Sequence, residues 1–248
     1  MIRAAIFDLD GTLVETEELK ALSYARAAVE LRPELNEEEV IEAFKDVVGL
    51  SRHEVATALL ERFGLEAAAR ARMVEFGVSE PWLAYVGVRN RIYEAMLDDP
   101  HLLVKQRWLH NIELLHELRR LGCRTALATM SYRHQVERVL KAVDLADAFD
   151  FIASRDDVGQ GKSDPEIYHL VAETLGVLPT ECLVIEDSPA GVKAALAAGM
   201  TVVAVSTPLT RQRLHESKLL PPELIVDDPE ILPQVVDDIV ARHQNERV

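Results

Sequence analysis

The chain has 248 residues, and 48% of them are hydrophobic. It contains two cysteines and has a formal net charge of −15 at pH 7. This length fits one large domain, or a domain with an insertion, at roughly 100–200 residues per domain. The acidic surplus argues against nucleic acid or an anionic membrane as the main partner, because both are bound through basic surfaces. No run approaches the ~18 apolar residues of a membrane span, and no signal-peptide pattern opens the sequence. The isolated Cys123 and Cys182 fit core positions in a reducing compartment, so we expect a cytoplasmic protein.

Short apolar runs predict the strands, in chain order. Each run is continuous rather than alternating, which is typical of strands buried on both faces of a parallel sheet. Five such runs and a weaker sixth lie at residues 3–7, 124–128, 151–153, 183–185, 201–205 and 224–226.

Helical patterns with recognisable ends separate the later strands. Three of them are residues 112–121 closed by Gly122, a helix from Asp164 and Pro165 to Gly176, and one from Ser188 and Pro189 to Gly199. This alternation of strands and helices predicts an α/β domain with a doubly wound parallel sheet.

Residues 15–96 interrupt the alternation, because they contain helical patterns and no convincing strand. Two capping-box patterns lie in this segment, Asn36 with Glu39 and Ser51 with Glu54. We therefore predict an α/β core formed by residues 1–14 and 97–248. Residues 15–96 are predicted to form an inserted α-helical cap over the strand ends.

Polar residues follow four of the predicted strands, at the sheet edge where α/β proteins bind ligands. They are Asp8, Asp10, Gly11 and Thr12, then Thr129 and Ser131, then Lys162, and finally Glu186, Asp187 and Ser188. Two carboxylates ~4 Å apart repel each other by roughly 4 kcal/mol at an effective dielectric constant of about 20. A divalent cation offsets that repulsion, and ligands that are all oxygen atoms favour a hard ion such as Mg²⁺. The pattern therefore predicts a site for magnesium and phosphate, with Lys162 as a further positive charge.

The same residues resemble the motifs of the haloacid dehalogenase superfamily. Phe7-Asp8-Leu9-Asp10-Gly11-Thr12 is similar to its D-x-D-G-T signature, and Leu127-Ala128-Thr129 resembles its second motif. Lys162 resembles its third motif, and Glu186-Asp187-Ser188-Pro189-Ala190-Gly191 its fourth. The resemblance covers nearly the whole chain, including the helical insertion after the first motif. It implies a Rossmann-like core and phosphoryl-transfer chemistry.

The resemblance also implies catalytic roles. Asp8 would attack phosphorus and become an aspartyl-phosphate, and it is ionised without help because an unperturbed aspartate has a pKa of ~3.9. Asp10 would protonate the leaving oxygen and then activate the water that cleaves the intermediate. Thr129 and Lys162 would hold the oxygens of the transferring phosphoryl group.

The resemblance implies a magnesium site as well. Asp8, Asp187 and the main-chain carbonyl of Asp10 would bind Mg²⁺, with Glu186 as a further ligand or an outer partner. The residues expected to contact the substrate are Gly11, Thr12, Ser131, Arg52 and Arg133.

Three functions stay open. The first is a phosphatase of a small phosphorylated metabolite such as a sugar or polyol phosphate, because a cap excludes large substrates and water. The second is a sugar-phosphate mutase like β-phosphoglucomutase, because Gly49-Leu50-Ser51-Arg52 resembles the substrate-recognition loop of that enzyme. Thr12 and Lys20, however, depart from the mutase pattern. The third is a phospho-acceptor signalling module similar to a response-regulator receiver. Receivers are much shorter and have no helical cap after the first strand. Because Thr12 and Lys20 disfavour the mutase as well, hydrolysis leads.

Overall fold

The computed structural model describes residues 1–48 and 50–245. The chain divides into two compact units. The first comprises Met1–Glu15 and the chain from Leu103 onward, and the second is Thr16–Leu102. That the second unit acts as a cap over the strand ends stays a prediction.

Six parallel strands form the sheet of the first unit. They are β1 (Ala4–Phe7), β2 (Arg124–Ala128), β3 (Phe151–Ala153), β4 (Cys182–Glu186), β5 (Thr201–Val205) and β6 (Ile225–Val226). The spatial order is β3-β2-β1-β4-β5-β6, so the chain runs outward from β1 in one direction and then in the other. The predicted doubly wound α/β fold is confirmed. The boundary between β1 and β4 is its topological switch point, where sheets of this kind bind ligands.

β1 is the central strand because its side chains are apolar on both faces. Ala4, Ala5, Ile6 and Phe7 have no exposed surface. Burying a side chain the size of isoleucine or phenylalanine stabilises the fold by about 1.5–3 kcal/mol. Phe7 lies opposite Leu127 of β2 and Ile185 of β4, so β1 ends within one residue of both neighbours. The residues that follow these strands therefore meet at one edge.

The second unit is helical. Its helices are α1 (Glu17–Leu31), α2 (Glu37–Lys45), α3 (Arg52–Arg62), α4 (Glu66–Ala71), α5 (Met73–Phe76) and α6 (Pro81–Leu97), followed by α7 (Pro100–Lys105) at the boundary with the first unit. The part of residues 16–102 that the structure describes contains no strand, as expected.

The two predicted capping boxes have different outcomes. Ser51 Oγ accepts a hydrogen bond from the Glu54 amide at 3.3 Å, and Glu54 Oε2 accepts one from the Ser51 amide at 2.9 Å, so this box is confirmed. Asn36 does cap α2, but its side chain accepts from the amide of Glu38 at 2.7 Å. The predicted box with Glu39 is therefore wrong, because Asn36 Oδ1 is satisfied one residue earlier. Gly49, part of the pattern matched to the mutase loop, lies outside the described residues.

The remaining helices flank the sheet. They are α8 (Leu109–Arg120), α9 (Arg133–Ala142), α10 (Glu166–Leu175), α11 (Pro189–Ala197), α12 (Arg211–Ser217) and α13 (Leu232–Asn245). Ser188 caps α11 as predicted, its Oγ accepting from the Gly191 amide at 3.1 Å. α10 begins two residues later than Asp164, whose side chain accepts from the Glu166 amide at 2.9 Å. No helix in the described part of the chain is long and apolar enough to cross a membrane.

Candidate active site

The loop after β1 is a tight turn that places two aspartates at the switch point. The Asp8 amide donates to the carbonyl of Ile185 at 3.0 Å, which continues the pairing of β1 with β4. Gly11 closes the turn by donating to the Val14 carbonyl at 2.8 Å, and its φ of +86° favours glycine. A Cβ at this position would lie 2.2 Å from Asp187 Oδ2. The glycine therefore allows Asp187 to approach the loop that carries Asp8.

Lys162 joins the two acidic motifs. Its Nζ donates to Asp8 Oδ1 at 2.5 Å, to Glu186 Oε1 at 2.5 Å and to the Ala128 carbonyl at 2.9 Å. These three acceptors match the three donors of an ammonium group. Burial alone would lower the pKa of Lys162, but the carboxylates of Asp8 and Glu186 outweigh burial and hold that pKa well above its ordinary value. The lysine is therefore a fixed positive charge.

The carboxylates around Lys162 carry more charge than one lysine balances. Asp8, Glu186 and Asp187 are all buried, and each offers an oxygen atom within 4.8 Å of the others. Burial, together with the charges of Glu186 and Asp10, outweighs the opposing effect of Lys162 and raises the pKa of Asp8 from 3.8 to about 7. The prediction that Asp8 is ionised without help is therefore wrong. When all three carboxylates are ionised, one ammonium leaves two of their negative charges uncompensated. An all-oxygen set with this charge fits a hard divalent cation.

Glu186 has both of its carboxylate oxygens engaged. Oε1 accepts from Lys162 and from the hydroxyl of Tyr168 at 3.1 Å. Oε2 accepts from the amides of Asp187 and Ser188 at 2.9 and 3.0 Å, and from the Ser188 hydroxyl at 3.0 Å. These contacts fix the carboxylate and, through it, the loop that carries Asp187.

Gly191, in the first turn of α11, provides the space that Glu186 occupies. A Cβ at Gly191 would lie 1.8 Å from Glu186 Oε1 and 2.4 Å from Oε2. We expect Gly191→Ala to lower the free energy of unfolding by about 1–3 kcal/mol, because overpacking displaces a buried, hydrogen-bonded carboxylate. Urea unfolding measures this. Gly159→Ala is the matched control, since its added methyl group meets nothing closer than 3.7 Å. Equal stabilities of the two variants would contradict the prediction.

Asp10 is oriented by the residues that follow β2. The hydroxyls of Ser131 and Thr129 donate to Asp10 Oδ2 at 2.5 and 3.3 Å. The amide of Ser131 in turn donates to Thr129 Oγ1 at 3.1 Å. The loop formed by residues 129–131 therefore holds one oxygen of the Asp10 carboxylate in place.

The structure brings together most of the predicted site residues in the first unit. They are Asp8, Asp10, Gly11, Thr129, Ser131, Lys162, Glu186 and Asp187. Two others make different contacts. Thr12 is fully buried, and its carbonyl accepts from Asn111 Nδ2 at 2.6 Å. The Arg133 guanidinium donates to Asp157 at 2.5 Å and to the Ile152 carbonyl at 2.8 Å.

The substrate contacts predicted for Thr12 and Arg133 stay predictions, and none of the contacts just described supports them. Arg52 is the first residue of α3, in the helical unit, and its predicted role is likewise a prediction.

Two features of the site region were not anticipated from the sequence. Residues 106–108 pair with the chain after the Asp8 loop: the Glu15 amide donates to the Gln106 carbonyl at 2.7 Å, and the Trp108 amide to the Leu13 carbonyl at 3.0 Å. Tyr168 contacts Glu186 from α10. The first feature could not be predicted because hydrogen bonds between backbone groups do not depend on which side chains are present. The second could not because a tyrosine on the apolar face of a helix has the pattern of an ordinary core residue.

Comparison with known families agrees with this site. The family model described as haloacid dehalogenase-like hydrolase matches residues 2–199. The chain belongs to this family of hydrolases, and the resemblance inferred from its motifs is confirmed.

Similar proteins include a phosphatase and a mutase. Hexitol phosphatase A of Escherichia coli K12 is 32% identical over 215 residues, covering 87% of this chain and 88% of that protein. The crystal structure of a putative β-phosphoglucomutase from Thermotoga maritima is 27% identical with a TM-score of 0.68, covering 96% of this chain and 100% of that one. Protein SUPPRESSOR OF QUENCHING 1, chloroplastic, of Arabidopsis thaliana is 31% identical over 231 residues, or 92% of this chain. The match spans 20% of that much longer relative.

Proposed function

We propose that this protein is a magnesium-dependent phosphatase of small phosphorylated metabolites, of the sugar or polyol phosphate class, acting through an aspartyl-phosphate on Asp8. One observation carries the proposal: Asp10, two residues beyond Asp8, has its carboxylate held by Thr129 and Ser131. A positioned second carboxylate is what a phosphate ester needs for both protonation of the leaving group and activation of water. The similarity to hexitol phosphatase A supports the substrate class.

The first chemical step is assigned to Asp8 and Asp10. Lys162 binds Asp8 Oδ1, and the described residues make no hydrogen bond to Oδ2, so Oδ2 is the oxygen proposed to attack phosphorus. A bond forms between Oδ2 and phosphorus while the bond from phosphorus to the ester oxygen breaks. Asp10, protonated at this stage, gives its proton to the departing alkoxide. Lys162 and Thr129 are proposed to contact the phosphoryl oxygens.

The second step regenerates the enzyme. Asp10, now a carboxylate, takes a proton from a water molecule, whose oxygen attacks phosphorus. The bond between phosphorus and Asp8 breaks, inorganic phosphate leaves, and Asp8 is again a carboxylate. The hydroxyls of Thr129 and Ser131 keep Asp10 in one orientation through both proton transfers.

The donor set described above fits a magnesium ion. We assign Asp8, Asp187 and the main-chain carbonyl of Asp10 as its ligands. Glu186, both of whose oxygens accept hydrogen bonds, is the outer partner that orients Asp187. Bound there, a divalent cation supplies the positive charge that offsets these carboxylates and the phosphoryl group.

Selection of a small substrate is assigned to the helical unit, with Arg52 as its proposed contact, and to Gly11, Thr12 and Arg133 in the first unit. The two unpaired cysteines support a reducing compartment such as the cytoplasm as the proposed location.

Phosphate release from sugar, polyol and nucleotide monophosphates tests the proposal, first with Mg²⁺ and then with EDTA. We expect release from sugar or polyol phosphates to fall by at least about 10²-fold in EDTA and to return when excess Mg²⁺ is added. Release that EDTA does not change would refute the magnesium requirement. Release from none of the substrates would refute the phosphatase.

A mutase is the second candidate, favoured by the similarity to the Thermotoga maritima structure over nearly the whole chain. A mutase and a phosphatase give different products. With a sugar bisphosphate as primer, a mutase would convert β-glucose 1-phosphate to glucose 6-phosphate without net release of phosphate. We expect release to dominate, because Thr12 and Lys20 stand where mutases carry other residues.

A further inference from the structure

Tyr168 lies behind the site and belongs to none of the motifs. It is the third residue of α10, six residues after Lys162, and has no exposed surface. Its ring packs in the apolar core beneath the sheet, where a phenylalanine would fill the same space. Its hydroxyl donates to Glu186 Oε1 at 3.1 Å. A buried hydroxyl needs such a partner, so the polar atom has a use here that the core alone does not require.

The hydroxyl of Tyr168 and the ammonium of Lys162 share one oxygen atom. Glu186 Oε1 accepts from both, while Oε2 accepts from the loop that follows β4. The ring of Tyr168 also lies against Lys162, with Nζ 5.7 Å from the ring centroid. Lys162 therefore has carboxylates and a carbonyl on one side and an aromatic face on another.

The shared contact at Glu186 Oε1 determines how strongly the Lys162 ammonium interacts with each of its partners. With the tyrosine hydroxyl in place, part of the negative charge on Oε1 is met by a neutral donor, and Lys162 is left to act on Asp8 and on the incoming phosphoryl group. Without the hydroxyl, Lys162 would be the one donor to Oε1 among the described residues and would be drawn toward Glu186. A lysine side chain has four flexible carbons, so small changes in its partners move its charge.

We propose that Tyr168 is a positioning residue that sets Lys162 for the transferring phosphoryl group through their shared contact with Glu186. This inference rests on the proposed phosphatase function.

Tyr168→Phe tests it. We expect kcat to fall on the order of tenfold, as for other partners one step removed from a reacting group, with KM changed by less than about twofold. The Ki of orthovanadate, which imitates the five-coordinate phosphorus, should rise by the same factor as kcat/KM falls, because the loss is confined to the transition state. A purely structural role would not produce that match.

Tyr85→Phe is the matched control. Tyr85 is also fully buried, in the helical unit, and its hydroxyl donates to the Tyr24 carbonyl at 2.9 Å. The same substitution there removes one buried hydrogen bond and is expected to leave kcat and the vanadate Ki unchanged. Melting temperatures of both variants show whether they lose similar stability.

A second measurement does not depend on turnover. Lys162 is nearly buried, with 8% of its side chain exposed, so acetic anhydride should modify it slowly in the metal-free protein. We expect severalfold slower modification of Lys162 in Tyr168→Phe, because an ammonium drawn toward Glu186 is less available as a free amine, and no change in Tyr85→Phe, measured by peptide mass spectrometry. Unchanged kcat and labelling in Tyr168→Phe, or equal losses in both variants, would overturn the inference. If the wild type releases no phosphate, the proposed function fails, and the labelling rate still decides whether Tyr168 positions Lys162.

Discussion

Replacing Asp8 with asparagine is expected to lower kcat for phosphate release by at least about 10³-fold, because the amide is not a nucleophile. The side chain keeps its size, so KM should change little. The measurement is magnesium-dependent release from the best substrate found. Asp147→Asn is the control for the same chemical change, since Asp147 is exposed on the surface of the same unit, and it should turn over like the wild type. Activity retained by Asp8→Asn would rule out the aspartyl-phosphate.

The same variant should be more stable than the wild type in EDTA at about pH 8, which separates lost chemistry from lost folding. Burial raises the pKa of Asp8 from 3.8 to about 7 in the folded protein, so the folded state holds this proton more tightly than the unfolded state. Wild-type stability is therefore lost as pH rises from about 4 to about 7, and asparagine has no charge to lose. Melting temperatures should differ most at about pH 8 and converge toward about pH 4. A variant that melts lower at both pH values would point to damaged folding.

Replacing Asp10 with asparagine is expected to lower kcat for a sugar or polyol phosphate by about 10²–10⁴-fold, since acid and base catalysis are both lost. The effect on phosphorylation should be much smaller with p-nitrophenyl phosphate, because nitrophenolate leaves without a proton. Cleavage of the aspartyl-phosphate still requires a base, so the intermediate should accumulate.

Stopped-flow spectroscopy checks this prediction through the release of nitrophenolate. We expect a burst equal to the enzyme concentration in Asp10→Asn, followed by slow turnover, and one added phosphoryl group in the mass spectrum after acid quenching. Steady turnover without a burst would mean that Asp10 does not act in the second step. A stable aspartyl-phosphate in the wild type, with no turnover of small esters, would instead favour the signalling module.

The sheet was predictable from the sequence because both faces of each strand are buried. Such strands are continuous apolar runs, and three of the observed strands, β2, β3 and β5, have the predicted bounds. The other three strands differ by single residues: β1 and β6 each begin one residue later than predicted, and β4 is one residue longer at each end. At its C-terminal end β4 includes Glu186, which a search for apolar runs excludes because the side chain is charged. Glu186 is nevertheless fully buried, and five hydrogen-bond donors satisfy its carboxylate.

The composition of the site was predictable because each motif follows a strand of one parallel sheet. What the sequence could not give is how side chains from distant segments divide the available partners. Asp157 lies 24 residues beyond Arg133 and binds the guanidinium that the sequence predicts to contact the substrate. Tyr168 was hidden for a related reason, since only the hydroxyl distinguishes it from its apolar neighbours in α10.

The position of β1 at the centre of the sheet also determines when the site can form during synthesis. Phe7 pairs with Ile185, 178 residues later in the chain, whereas Thr16–Leu102 is one continuous segment with a compact structure of its own. At roughly 5–20 residues per second, a ribosome needs about 9–36 s to make the strand that completes the pairing of β1. The helical unit can fold in that interval, before Glu186 and Asp187 have been synthesised and can lie beside Asp8. A nascent chain therefore has no assembled acidic cluster, and the protein gains its proposed metal site only when the non-local part of the sheet closes.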